Sequence, residues 1–101
     1  MNDTELVRQS ISGSEEAFEN LLNRHYGMIF RVAYKWCGIK EDAEDIAQEV
    51  CIKLGESIRG FKFEAAFSSW LYRVTMNSAK DYYRSRNRKR LNERAFEQTQ
   101  M

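Results

Sequence analysis

An all-α fold, a compact bundle of about four helices, is predicted for this 101-residue chain by three observations. Apolar residues recur at steps of three and four, the period that keeps them on one helix face. Proline is absent and glycines number only five, so interruptions are few. Alternating β-branched runs, which would mark strands, are almost missing.

The first helix is expected from about Thr4 to Ser12, with Asp3 as its N-cap and Gly13 as its stop. Leu6, Val7 and Ile11 keep the spacing of its inner face. Ser14 then caps a second helix, whose Glu15 and Glu16 complement the partial positive charge of the first turn. Its apolar face reads Phe18, Leu21, Leu22, Tyr26, Ile29, Phe30, Ala33 and Trp36, and Gly38 ends it. A third helix runs from near Glu41 to near Ser57, with Ala43, Ile46, Ala47, Val50 and Leu54 as its buried stripe. Glu41, Asp45, Gln48 and Ile52 line a second face, flanked by Asp42, Glu44 and Glu49. A loop from Arg59 to Ala65 leads to the fourth helix, from about Ala66 to Arg88 or beyond. There Phe67, Leu71, Val74, Ser78 and Tyr82 are expected to face the core. Arg73, Asn77, Lys80, Arg84 and Asn87 form a polar and basic ridge on the opposite side. Residues 1–90 make up the expected domain, and 91–101 read as the start of a linker or a frayed helix end.

Charge divides the chain in two. Residues 1–58 carry 6 Lys/Arg against 11 Asp/Glu, whereas residues 59–101 carry 10 against 4. The overall net charge of +1 therefore hides one acidic surface, suited to a basic protein partner, and one basic surface, suited to nucleic acid. No apolar run approaches the roughly 20 residues of a membrane span. The start, MNDTELVRQS, lacks the basic end and apolar core of a secretion signal. A cytoplasmic protein with no membrane insertion is expected.

The residues favour binding over catalysis. Cys37 and Cys51 lie inside helical patterns and are expected as reduced thiols, although a disulfide between them is geometrically open. A zinc site takes about four ligands, and two cysteines with the single His25 do not supply them, so no metal and no cofactor are expected. No glycine-rich phosphate loop and no Ser–His or Cys–His arrangement is placed together by the sequence, and the carboxylates near Glu41 lie on a solvated face. No enzyme activity is expected. Single-stranded nucleic acid, by contrast, is held by cations along its phosphates and by aromatic surfaces that accept unstacked bases. Both ingredients fall between Arg59 and Arg90, where Lys62, Arg73, Lys80 and Arg84 are interleaved with Phe61, Phe63, Phe67, Trp70, Tyr72, Tyr82 and Tyr83. Phe67, Trp70 and Leu71 fit the core period. Phe61 and Phe63 do not follow it, and are read as candidates for contact with bases.

The run DAEDIAQEVCIKL, followed by FSSWLYRVTMNSAKDYYR, resembles bacterial RNA polymerase sigma factors of the extracytoplasmic-function class. The upstream GSEEAFENLLNRHYGMIFRVAYKWCG looks like that family's opening helices, so the resemblance covers about residues 4–90. It implies region 2, an all-helical domain with two tasks. An acidic helix docks on the β′ clamp coiled coil of core RNA polymerase. The following loop and helix capture the melted non-template strand of the promoter −10 element. Carried over by position, Glu41, Asp42, Glu44, Asp45, Gln48 and Glu49 fall on the polymerase-docking helix. Phe61, Lys62, Phe63 and Glu64 fall on the base-capturing loop, and Trp70, Arg73, Asn77, Lys80 and Arg84 on the helix beside the strand. No ATP is required in this scheme.

Full family members continue through a linker into a second helical domain that reads the −35 element, so the chain is expected to be a fragment of such a factor. The family is also controlled by anti-sigma proteins that cover both surfaces. The alternative reading is therefore a sigma-like interaction module engaged mainly by an anti-sigma partner. The RSRNRKR cluster is longer than the family pattern requires, which suggests extra phosphate contact near Arg86 to Arg90.

Overall fold

The computed structural model describes the backbone of residues 1–99 and the side chains of residues 1–86. Helix α1 spans Asp3–Ile11, α2 Glu15–Cys37, α3 Lys40–Ser57 and α4 Phe67–Thr99, with a single 3-10 turn at Ile58–Gly60. No strand occurs among the described residues, so the all-α expectation holds. Helix α2 is the hub of the bundle and packs against α1, α3 and α4, while α3 and α4 also touch each other.

The core is formed where the apolar stripes of these helices meet. All five residues expected on the α3 stripe, Ala43, Ile46, Ala47, Val50 and Leu54, are fully buried, as are Ile29 and Ala33 of α2 and Leu71 of α4. Each large aliphatic side chain removed from water in this way contributes about 1.5–3 kcal/mol. Phe67 and Ser78 of α4 are buried as expected, whereas Val74 and Tyr82 are only half-buried. Thr75 and Ala79 complete the stripe instead. Thr75 is tolerated because its hydroxyl donates to the Leu71 carbonyl at 2.8 Å, leaving its methyl group to pack. On α2, Tyr26 of the expected face is exposed and Val32 is buried in the drift of the 3.6-residue period.

The helix ends follow local chemistry. Ser14 Oγ accepts from the Ala17 amide at 3.2 Å, and Gly38 closes α2 in the left-handed region at φ 68°. Gly13 takes φ 107° in the turn between α1 and α2, a conformation that disfavours any side chain. The cap of α1 differs from expectation: Asn2, and not Asp3, accepts from the Glu5 amide, at 2.9 Å. Asp3 lies one position inside the helix, where its carboxylate reaches Arg24 at 3.1 Å and His25 at 3.0 Å on α2. A nine-residue helix has little stability of its own, so α1 depends on Leu6, Val7 and these polar links to α2. Cys37 and Cys51 are free thiols, each half-buried. Burial raises the Cys51 thiol above its ordinary value.

Candidate nucleic-acid interface

The segment between the 3-10 turn and α4 is built around an aromatic cluster. The Phe61 ring lies 5.6 Å from that of Phe67, 5.3 Å from Trp70 and 4.9 Å from Phe63. Phe67 also meets the His25 ring edge-on at 5.4 Å. Phe61 is only 7% exposed, which corrects its reading as a loop aromatic free of the core. The physical reason is the shortness of the connection: a large apolar residue at its first position reaches the open end of the bundle beside Phe67 and Trp70. Phe61 is therefore the anchor of the loop.

Phe63 behaves differently. Its backbone sits in the left-handed region at φ 59°, the only non-glycine residue there among those described, and its ring is 39% exposed. A bulky residue in this region stores about 1 kcal/mol or more, held by its surroundings. One restraint is Arg8 of α1, whose guanidinium lies 5.3 Å from the Phe63 ring centroid. Lys62, Glu64 and Ala65 are exposed beside it. The loop thus joins a buried anchor to a strained, partly exposed tip.

Helix geometry brings Arg73, Asn77, Lys80 and Arg84 onto one side of α4. Arg73, Asn77 and Arg84 are exposed, whereas Lys80 and Trp70 are half-buried. The Lys80 ammonium lies 5.6 Å from the centroid of Trp36 on α2. The Trp36 indole N–H in turn donates to Met76 Sδ at 3.3 Å. The ridge is therefore seated on α2 through Trp36. Asn87 and Arg88 to Arg90 lie outside the described side chains, and for 91–99 the structure gives the helical backbone alone.

On α3, Glu41, Asp45, Gln48 and Glu49 are exposed and Glu44 is half-buried. Asp42 differs from these, being buried at 8% exposure with its carboxylate accepting from the Arg86 guanidinium of α4. Arg86 also donates to the Tyr82 hydroxyl at 3.4 Å. Removal from water and the nearby Asp42 charge both raise the Tyr82 hydroxyl, in that order of size. The hydrogen bond to Asp42 likewise raises the Arg86 guanidinium. Arg86 is thus engaged within the bundle, in contrast to its reading as an extra phosphate contact.

Two cationic residues of the same region escaped the sequence reading. Arg31 and Lys35 line a groove of about 330 Å³ between α2 and α4, together with Met28, Trp36, Tyr72 and Met76. The signal was present: no carboxylate occurs between Glu19 and Glu41. This local positive stretch lies within the acidic half of the chain, whose net charge masks it.

Comparison with known proteins identifies the family. The family model for Sigma-70 region 2 matches residues 21–89. The chain is 32% identical, over 82% of its length, to the ECF RNA polymerase sigma factor SigM of Mycobacterium tuberculosis. It is 33% identical, over 92% of its length, to the ECF RNA polymerase sigma-E factor of Haemophilus influenzae. It spans 42% and 49% of the lengths of these two relatives. Among solved structures, an engineered region 2 of sigmaE in complex with GTAAAA superposes with a TM-score of 0.82 at 29% identity, covering 88% of this chain and 93% of that one. CnrH in complex with the cytosolic domain of CnrY gives a TM-score of 0.72 at 29% identity, covering 89% of this chain and 58% of that one.

Proposed function

The chain belongs to the Sigma-70 region 2 family, and on that premise we propose that it serves transcription initiation by binding, without a catalytic group. The acidic side of α3, with Glu41, Asp45, Gln48 and Glu49 at its surface, docks on the β′ clamp coiled coil of core RNA polymerase. Glu44 flanks this face, and Asp42 supports it from beneath. The 61–65 loop and the α4 ridge hold the melted non-template strand of the promoter −10 element.

The observation that carries this reading is the loop itself. A buried Phe61 anchors a strained, partly exposed Phe63 immediately before a helix that bears Arg73, Asn77, Lys80 and Arg84 on one face. Strained backbone of this kind clusters at ligand clamps. The structurally similar region 2 of sigmaE was solved with GTAAAA, which favours the same class of ligand here. Extruding a base costs a few kcal/mol of stacking and pairing, and a pocket offsets that only for a base whose edge it satisfies. Phe61 and Trp70 build the wall of such a pocket. Lys62, Phe63, Glu64 and Asn77 supply its groups facing solvent. Arg73, Lys80 and Arg84 hold phosphates and set register without reading sequence.

The test is binding of fluorescent single-stranded oligonucleotides with −10-like sequences against scrambled ones. Tighter binding of the −10-like set is expected; equal affinity for both would remove promoter reading from the loop. A second reading, a sigma-like module engaged mainly by an anti-sigma protein, is favoured by the likeness to CnrH solved with the cytosolic domain of CnrY. It predicts tight binding of a protein partner alongside negligible affinity for either oligonucleotide.

A further inference from the structure

The acid-free stretch of α2 faces α4 and continues the ridge. Arg24 of this stretch pairs with Asp3, whereas Arg31 and Lys35 are exposed and form no ion pair among the described residues. Both stand on one wall of the groove between α2 and α4, and its other wall carries Tyr72, 48% exposed, and Met76. Trp36 lies within it, held by its bond to Met76 and overlain by Lys80. Lys80 thus joins the ridge to the Trp36 ring that lines the groove, and the two surfaces adjoin there.

We propose that this groove is a second single-strand site, which takes an unstacked base of the same DNA strand that the loop and ridge hold. This rests on the reading given under Proposed function. Arg31 and Lys35 meet the flanking phosphates, while Trp36 and Tyr72 offer aromatic surface to the base. Charge complementarity selects the occupant: beside the apolar Met28, Val32 and Met76, the walls contribute two cations, two rings and no carboxylate, and cations with aromatic surface hold single strands without reading their sequence. Continuity selects the strand, because a polyanion following Arg73 and Lys80 arrives at Trp36 next. The site lengthens the footprint and adds affinity that is indifferent to base identity.

The test uses the full chain and two single-stranded DNAs, one of about five nucleotides with a −10-like sequence and one of about twelve that extends it. The indole N–H resonances of the two tryptophans are told apart with Trp70→Phe. The longer DNA is expected to shift the Trp36 resonance and the shorter one to leave it in place. Arg31→Gln with Lys35→Gln should lower the magnitude of the log–log salt slope for the longer DNA by about 1.4. Tyr72→Ala should weaken that DNA about tenfold. Neither change should alter binding of the shorter DNA, and circular dichroism confirms that the variants fold. The proposal is overturned if the longer DNA binds no more tightly than the shorter and leaves Trp36 unmoved, even though both bind. It is also overturned if an acidic peptide, and not DNA, shifts Trp36, which would give the groove to a protein. If neither DNA binds, the reading of the loop falls and the groove site with it.

Discussion

Arg86 of α4 donates to Asp42 of α3, tying the helix that carries the basic ridge to the helix that carries the acidic face. The two partners are not equivalent, since the Asp42 side chain is 11% exposed and that of Arg86 is 43% exposed. Removing Arg86 strands a buried carboxylate, whereas removing the Asp42 charge leaves a guanidinium that water can solvate. Arg86→Met is therefore expected to lower the urea midpoint more than Asp42→Asn, with the denaturant slope unchanged in both. The reverse order would mean that the stranded Asp42 carboxylate is not the larger cost of breaking the pair.

Tyr82 sits beside this pair, and its hydroxyl is raised above the ordinary value near 10. The folded state holds the phenolic proton more tightly than the unfolded chain does. The resulting stability is complete below about pH 10 and is lost as pH rises through the folded-state value. Tyr82→Phe should flatten that part of the alkaline decline in melting temperature. An identical alkaline profile in the variant would remove Tyr82 as its source.

The two loop phenylalanines should separate fold from binding. Phe61→Ala empties a buried aromatic site and is expected to cost about 3–5 kcal/mol, read from chemical denaturation. Phe63→Ala alters a partly exposed ring and should change stability by less than about 1 kcal/mol. It should nevertheless weaken −10-like oligonucleotides more than scrambled ones. Equal losses for both sequences would assign Phe63 to general stacking.

In the proposed function Lys80 and Arg84 hold phosphates. With about four phosphate contacts in all, the log–log salt slope for single-stranded DNA should be roughly −3. Changing both residues to Ala should reduce its magnitude by about 1.4 while leaving the preference for −10-like sequence unaltered. A lost preference would show that the ridge reads bases.

Asp45 is exposed on α3, and after burial and Asp42 its charge helps to raise the Tyr82 hydroxyl. Asp45→Arg should leave the melting temperature within about 2–3 °C of the parent and abolish binding to a β′ clamp coiled-coil fragment. Undiminished clamp binding would take the docking role away from this face.

What could be read in advance follows a physical divide. The buried stripe of α3 and the ends of α2 at Ser14 and Gly38 are set by local periodicity and capping, so they were legible residue by residue. The burial of Asp42 was not, because its partner lies 44 positions away on another helix. Nor was that of Phe61, because a short loop can return a side chain to the core without any period to announce it. The place of Thr75 in the core depends on the helix carbonyl that satisfies its polar hydroxyl, which spacing does not reveal. For the candidate interface, the α4 ridge followed from spacing alone. The α2 cations became relevant only when packing set them beside it.

The left-handed bend at Phe63 bears on speed as well as on shape. A segment already folded into its bent form, with Arg8 lying over its tip, has little freedom left to surrender in the strand capture proposed for it. Its association is then governed by how often the two molecules meet in the right orientation, and hardly by rearrangement afterwards. Loosening the bend, as Arg8→Ala would do, should slow arrival while leaving the bound complex nearly as durable.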